Sequence, residues 1–206
     1  MEITLYYCPK TRATRIQWLL EELQIPYQLE YINIFKGAGQ TEEYRAIHPY
    51  GQVPAIKIDN QIIFESGAIC NVLADKFPDK SLSPKLNSQE RAEYEQWMFY
   101  APATLEPPIF HYLLHSSIYP AEQRITEIAD WNLKSFRQVL ITLEKIFKSR
   151  MSDKAYIVGD KFSCADIMIG SVLFWAPDLV SKYATLHKYS QRLKSRTAYQ
   201  RTLTTQ

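Results

Sequence analysis

The stretch YGQVPAIKIDNQIIFESGAI, residues 50–69, constrains the fold more strongly than any other part of the sequence. Its two apolar runs are separated by the turn-prone DNQ and predict a β-hairpin. Proline removes a hydrogen bond from a strand ladder, so Pro54 belongs at the first residue of a strand or in a special turn. Glu65 and Ser66 follow the hairpin where a helix begins. We interpret these two features as parts of one small-molecule site.

Residues 1–79 predict a small α/β domain. Two short runs rich in β-branched and aromatic residues, at 3–7 and 27–34, are typical of strands. Between them an apolar stripe at helical spacing predicts a helix that ends before Pro26. A crossover helix makes the strands it joins parallel, whereas the strands of a hairpin are antiparallel. The predicted order is β-α-β, an irregular loop, and then β-β-α.

Residues 86–206, beyond a Pro- and Ser-rich linker, predict a second domain that is all α-helical. A long apolar stripe across residues 122–149 predicts one extended helix, and a final helix is expected near residues 186–198. Ser163 and Asp166 outline a capping box at the start of another helix. We therefore expect Asp166 to secure that helix rather than to take part in chemistry.

Composition and charge restrict the class of function. The formal net charge is only +2, so strong attraction to nucleic acid is not expected. The three cysteines are far apart and odd in number, which fits a reducing, cytoplasmic setting better than a disulfide framework. We see no signal-peptide pattern at the N-terminus, and no apolar run approaches the ~18 residues of a membrane helix. The sequence therefore predicts a cytoplasmic protein without membrane contact.

The β-α-β/β-β-α order, with a proline opening the third strand, resembles the thioredoxin fold. Together with QVPAI, FESGAI and the helical YIVGDKFSCADI, it makes essentially all 206 residues resemble the cytosolic glutathione transferase superfamily. The resemblance implies a thioredoxin-like α/β N-terminal domain, an all-α C-terminal domain, a homodimer and glutathione as co-substrate. It also implies conjugation of the glutathione thiolate to small hydrophobic electrophiles, as in detoxification, with the class within the superfamily left open.

Glutathione binding by particular residues is a further implication of the resemblance. In the family the peptide bond between Val53 and Pro54 is cis, which presents the Val53 backbone to the cysteinyl backbone of glutathione. Ser66 is a good N-cap, and the helix that follows Glu65 and Ser66 offers free N–H groups and a positive dipole end to the γ-glutamyl carboxylate. Gln52 occupies a place where members carry a Lys or Gln that touches the glycyl end. Lesser candidates for the glycyl end lie in the preceding loop: Lys36 and His48.

Activation of the glutathione thiol is required because the thiol itself is a poor nucleophile. The segment YYCPKTRA contains four candidates that match catalytic positions of different classes: Tyr6, Cys8, Thr11 and Arg12. We favour a Thr11 hydroxyl that donates to the sulfur, with Arg12 adding a positive field. Cys8 is the closest rival, since a cysteine at a helix start tends toward a low pKa. As the nucleophile it would perform glutathionyl exchange instead of conjugation.

Alternative functions stay open at this point. They are thiol transferase or peroxidase activity through Cys8 or bound glutathione, and a non-catalytic glutathione-fold module that binds proteins. An apolar electrophile pocket is expected from the first helices of the second domain, with these weaker candidates: Tyr94, Met98, Tyr112 and the loop residue Phe35. His111 and His115 have the i, i+4 spacing of metal ligands but lack a neighbouring Glu and a third ligand, so no metal is expected.

Overall fold

A four-stranded mixed sheet organises the N-terminal part of the computed structural model, which describes residues 1–150 and 155–204. The strands are β1 (Ile3–Tyr7), β2 (Gln28–Tyr31), β3 (Ala55–Ile58) and β4 (Gln61–Phe64). Their order across the sheet is β2-β1-β3-β4, with β1 and β2 parallel and the other neighbouring pairs antiparallel. The predicted parallel pair and hairpin are confirmed. Pro54 lies immediately before β3, where it interrupts no ladder.

The helices account for most of the remaining chain. They are α1 (Ala13–Leu23), α2 (Glu42–Arg45), α3 (Ser66–Lys76), α4 (Glu90–Tyr100), α5 (Glu106–Leu113), α6 (Thr126–Arg150), α7 (Cys164–Leu173), α8 (Pro177–Val180), α9 (Ala184–Lys194) and α10 (Thr197–Thr204). The long stripe predicted over residues 122–149 corresponds to α6. Among the helices within residues 1–150 and 155–204, none has the length and apolar character needed to cross a membrane.

The chain divides into two compact units. The first unit contains Met1–Ser83 together with Lys194–Gln206, and the second contains Pro84–Leu193. The end of the chain therefore groups with the sheet-containing unit, whereas the sequence had assigned it to the helical domain.

Helix α10 packs on α1 within the first unit. The rings of Trp18 and Tyr199 meet edge to face, with centroids 5.0 Å apart. Arg196 lies between α9 and α10 and donates two hydrogen bonds to the Glu22 carboxylate, at 2.6 and 2.8 Å. The single helix predicted near residues 186–198 is therefore wrong, because the chain turns at Arg196 to reach α1. The C-terminal segment thus helps to hold α1, whose first turn lies beside the candidate catalytic residues.

Asp166 is fully buried in the core of the second unit. Its carboxylate accepts hydrogen bonds from the Ser163 N–H at 2.9 Å, the Ile157 N–H at 3.0 Å and the Tyr189 hydroxyl at 2.8 Å. Burial raises the pKa of Asp166 to about 6, against the opposing effect of these donors. The predicted capping box is confirmed.

Glu144 of α6 provides a second buried cap in the same unit. Its carboxylate accepts the N–H groups of Thr185 and Leu186 in the first turn of α9, at 3.1 and 3.0 Å. Burial by itself raises the pKa of Glu144, but these hydrogen bonds and the charge of Lys148 outweigh it and leave the pKa lowered.

We expect Glu144→Gln to lower the free energy of unfolding by about 1–2 kcal/mol at pH 7, since it weakens a charge-assisted cap. A lowered folded pKa means that the stabilisation is present above the unfolded pKa of about 4.3 and is lost as the pH falls through the folded value. Urea unfolding followed by circular dichroism at pH 7, 5 and 4 should therefore show the difference from wild type shrinking toward the lowest pH. The exposed Glu122→Gln is the matched control, and a difference that stays constant with pH would contradict this role of Glu144.

Candidate functional site

Among the residues that the structure describes, no side chain caps the N-terminus of α3. Glu65 is its N-cap residue and Ser66 is its first helical residue, which corrects the expectation that Ser66 is the N-cap. The Glu65 side chain is exposed and forms no capping hydrogen bond. Because the first intrahelical bond runs from the Ile69 N–H to the Glu65 carbonyl, the N–H groups of residues 66–68 have no partner within the helix. These groups and the helix dipole favour an anion at this position.

Glu65 also has a strained backbone. Its φ of 73° and ψ of 112° lie in a region that non-glycine residues rarely adopt, at a cost of about 1–3 kcal/mol. Such strain is concentrated at ligand sites, where it serves to position a side chain. The strain therefore supports the same position as the uncapped N–H groups.

A buried arginine contacts the same helix end. Arg15 of α1 is only 1% exposed, and its Nη1 donates to the Oγ of Ser66 at 3.3 Å. Within the described residues the Ser66 hydroxyl has no acceptor for its own proton, which leaves that proton available to a ligand. Sequence reasoning missed Arg15 as a site residue. The available signal was its register: it lies four residues before Leu19 and eight before Leu23, on the buried stripe of α1.

The segment before β3 forms the next part of the site. The Val53–Pro54 peptide bond is cis, as the resemblance implies. The sheet ladder begins one residue later, at Ala55, and among the described residues the Val53 backbone forms no hydrogen bond to other backbone groups. The Gln52 side chain is exposed, while its carbonyl accepts the Tyr44 hydroxyl at 2.6 Å. This segment therefore combines a fixed main chain with backbone groups that can pair with a ligand.

Thr11 and Arg12 lie at the start of α1. Arg12 is the N-cap residue of that helix. The Thr11 hydroxyl donates to the Cys8 carbonyl at 2.7 Å and accepts the Ala13 N–H at 3.2 Å. The proton expected to reach a glutathione sulfur is thus directed at a main-chain oxygen in this structure. Thr11 can donate to a sulfur only after its hydroxyl hydrogen rotates away from Cys8.

Cys8 is in a different environment from the one expected. It lies five residues before α1, and its side chain is 1% exposed. Burial raises the pKa of the Cys8 thiol, and the Ile34 N–H and the Tyr31 hydroxyl offset that effect only in part. The expectation of a low pKa at a helix start is therefore wrong for Cys8.

Tyr6, the remaining candidate, lies in β1 with its ring against Tyr44 at a centroid distance of 5.9 Å. Burial and, to a lesser degree, the charge of Glu30 raise the pKa of its hydroxyl. Tyr6 is consequently a neutral hydrogen-bond donor at pH 7.

The weaker candidates in the helical unit include residues considered for an electrophile pocket and histidines considered as metal ligands. Tyr94 and Met98 are 0% and 3% exposed, so they belong to the core and the expectation that they line an electrophile pocket is wrong. His115 uses its Nδ1 to accept the Ile125 N–H at 3.2 Å. In the part of the chain that the structure describes, no three His, Cys, Asp or Glu side chains are grouped as metal ligands.

A direct backbone contact between two glycines stabilises the loop that leads to Val53. A Cβ built on Gly39 would lie 2.0 Å from the Gly51 carbonyl oxygen, and one on Gly51 would lie 2.1 Å from the Gly39 oxygen. The two backbones therefore touch, and any side chain at either position would separate them. Residues 37–40 brace the segment that carries Gln52 and Val53.

Comparison with known proteins identifies the family of the chain. The family model of the glutathione S-transferase N-terminal domain matches residues 7–76, and that of the C-terminal domain matches residues 107–197. A glutathione S-transferase domain-containing protein of Dictyostelium discoideum is 30% identical over 200 residues, which cover 92% of this chain and 74% of the relative. The disulfide-bond oxidoreductase YfcG of Escherichia coli is 27% identical over 209 residues, covering 95% and 92% of the two chains.

A solved structure shares the whole fold. The glutathione transferase homolog of Lodderomyces elongisporus, crystallised with two glutathione molecules per subunit, superimposes with a TM-score of 0.91 at 18% identity, covering 100% of this chain and 99% of the other. The two family models and the 30% identical relative show that the chain belongs to the glutathione S-transferase superfamily.

The contact between Gly39 and Gly51 yields a test of the loop. We expect Gly39→Ala to lower the free energy of unfolding by about 1–3 kcal/mol, because its new methyl group overlaps the Gly51 carbonyl. Urea denaturation measures the change. Gly37→Asn is the control: it lies in the same loop with open space around it, and asparagine tolerates its positive φ. Equal stability of Gly39→Ala and wild type would show that the two segments separate freely.

Proposed function

We propose that the protein is a glutathione S-transferase that conjugates the glutathione thiolate to small hydrophobic electrophiles. It would serve detoxification as a cytoplasmic homodimer, without nucleic acid or membrane partners and without a metal. The observation that carries the proposal is the uncapped N-terminus of α3, where free N–H groups, Ser66 and the buried Arg15 converge. That combination suits a carboxylate, and glutathione has one at its γ-glutamyl end.

Each proposed contact matches one chemical group of glutathione. The α3 N–H groups and the Ser66 hydroxyl donate to the γ-glutamyl carboxylate, and Arg15 behind Ser66 adds a positive field. The exposed Glu65 carboxylate pairs with the adjacent α-ammonium group. The Val53 backbone pairs with the cysteinyl residue as an added strand would, and Gln52 binds the glycyl end.

Thiol activation falls to Thr11, supported by Arg12. When glutathione binds, its thiol releases its proton to solvent water, and the Thr11 hydroxyl rotates from the Cys8 carbonyl to the sulfur and stabilises the resulting thiolate by donating a hydrogen bond. The thiolate then attacks the electrophilic carbon, and the leaving group departs with its electron pair. Cys8 is a poor nucleophile at neutral pH, because burial raises its pKa.

A second candidate function is disulfide exchange, which the similarity to the Escherichia coli oxidoreductase favours. In that reaction the bound glutathione thiolate attacks one sulfur of a disulfide, and the other sulfur leaves as a thiolate. The same binding contacts serve both reactions. They differ in the acceptor, which is an electrophilic carbon in conjugation and a disulfide sulfur in exchange.

Glutathione affinity tests the binding contacts. We expect Ser66→Ala to weaken binding of S-methylglutathione about tenfold, because it removes one hydrogen bond to a carboxylate worth roughly 1.5 kcal/mol. Arg15→Met should weaken it by at least as much, since it removes both the charge and the support of Ser66. Isothermal titration calorimetry measures both changes, with the exposed Ser149→Ala as control. No detectable binding to the wild type would refute the proposed function.

Kinetic measurements distinguish activation of the glutathione thiol by Thr11 from a reaction through Cys8. We expect Thr11→Val to lower kcat/KM for 1-chloro-2,4-dinitrobenzene by about 10–100-fold, because the thiolate loses its donor, while Thr11→Ser keeps most of the activity. The ultraviolet absorbance of bound glutathione thiolate should decline in parallel. Cys8→Ala should leave both conjugation and the reduction of hydroxyethyl disulfide nearly unchanged. Conjugation that survives Thr11→Val, combined with disulfide reduction that is lost in Cys8→Ala, would reverse these assignments.

A further inference from the structure

We propose that His48 is a positioning residue for glutathione binding, and that only its neutral ring holds the binding loop in place. Protonation of His48 would then release the loop and weaken binding in mild acid. This inference rests on the proposed binding of glutathione and adds a residue and a pH dependence to it.

The first support is the hydrogen bonding of His48 within its loop. The side chain is buried, and its Nδ1 accepts the Tyr50 N–H at 3.3 Å. The backbone is held as well: the His48 N–H donates to the Tyr44 carbonyl and the His48 carbonyl accepts the Gly51 N–H, both at 2.8 Å. These bonds fix the three residues that directly precede Gln52.

The second support is the contact of the same ring with the other half of the site. The His48 ring packs on Phe64 with centroids 4.9 Å apart. Phe64 ends β4 and is followed directly by Glu65, the N-cap residue of α3. One side chain therefore bridges the loop that leads to Val53 and the segment that leads to the α3 N–H groups. Movement of this ring would disturb both sets of proposed glutathione contacts.

The chemistry of imidazole makes this bridge sensitive to pH. An Nδ1 that accepts a hydrogen bond requires the neutral ring with its proton on Nε2. Protonation places a second N–H on Nδ1, directed at the Tyr50 N–H, so the bond is replaced by repulsion between two donors. The loop can relieve this repulsion only by moving.

The groups around the ring determine when it becomes charged. The negative charge of the Glu65 carboxylate acts on the ring, the Tyr50 ring lies 6.4 Å away in the loop, and the Tyr44 hydroxyl of α2 donates to the Gln52 carbonyl. Burial lowers the pKa of His48, and Glu65 and the local backbone oppose this only in part. The ring is therefore neutral at pH 7 and gains its charge below its ordinary pKa of about 6.5. Once charged, it would also compete with the ligand's ammonium group for Glu65.

The test compares S-methylglutathione binding at pH 7.5 and pH 5.0 by isothermal titration calorimetry. This ligand has no ionisable thiol, and its carboxylates stay charged at both pH values. We expect wild-type affinity to fall about tenfold or more at pH 5.0. His48→Asn should bind within about threefold of wild type at pH 7.5 and lose much less at pH 5.0, because an asparagine Oδ1 accepts the N–H two residues on without titrating. His48→Phe keeps a ring but no acceptor, and should bind weakly at both pH values.

The His48→Asn variant retains Glu65 and every other titrating group, so its difference from wild type isolates the imidazole. Two outcomes would overturn the role of His48 and leave the proposed function intact. In the first, wild type and His48→Asn lose affinity in parallel. In the second, wild type loses no affinity at pH 5.0 while circular dichroism shows that it is folded. Absence of binding to wild type at pH 7.5 would overturn both. As a second readout, the Tyr50 amide resonance in ¹⁵N NMR should shift with the same midpoint as His48 protonation. An amide that does not respond would also count against the inference, even if His48→Phe fails to fold.

Discussion

The uncapped N-terminus of α3 is the feature on which the rest of the site depends. A helix start leaves N–H groups without intrahelical partners, and most proteins satisfy them with a polar side chain at the N-cap. Here the N-cap residue, Glu65, has a strained backbone, and its side chain forms no capping hydrogen bond. The N–H groups are left for a ligand, and a buried guanidinium stands behind the adjacent serine. The charge of this guanidinium adds to the dipole of α3, and both favour an anion at the helix start.

Contacts within the first unit position three segments of the site: helix α1, the loop before Val53 and the end of β4. Helix α1 carries the buried Arg15, and it is also held by the C-terminal segment through the Trp18–Tyr199 contact and the Glu22–Arg196 pair. The contact between Gly39 and Gly51 braces the loop before Val53, and His48 links that loop to the end of β4. Each of these contacts lies outside the ligand-binding residues themselves. Together they explain how short loops can hold main-chain groups in a fixed geometry.

Much of the fold was predictable because its elements are coded locally. The strand predicted at residues 3–7 is confirmed to the residue, and the hairpin predicted after Pro54 is confirmed as β3 and β4. The helix break at Arg196 was not predictable, because it depends on an ion pair with Glu22, far away in the sequence. The candidate site was likewise predictable only where it does not depend on contacts between distant parts of the sequence. The family resemblance indicated Glu65, Ser66 and the cis bond at Pro54, but the burial of Arg15 and Cys8 and the direction of the Thr11 hydroxyl depend on tertiary packing.

A crystal structure of the protein with bound glutathione tests the central claim most directly. We expect the γ-glutamyl carboxylate within about 3 Å of the first α3 N–H groups and the Ser66 hydroxyl, and the sulfur nearer to Thr11 Oγ1 than to Cys8 Sγ. A tripeptide bound elsewhere, with the N-terminus of α3 occupied only by water, would contradict it.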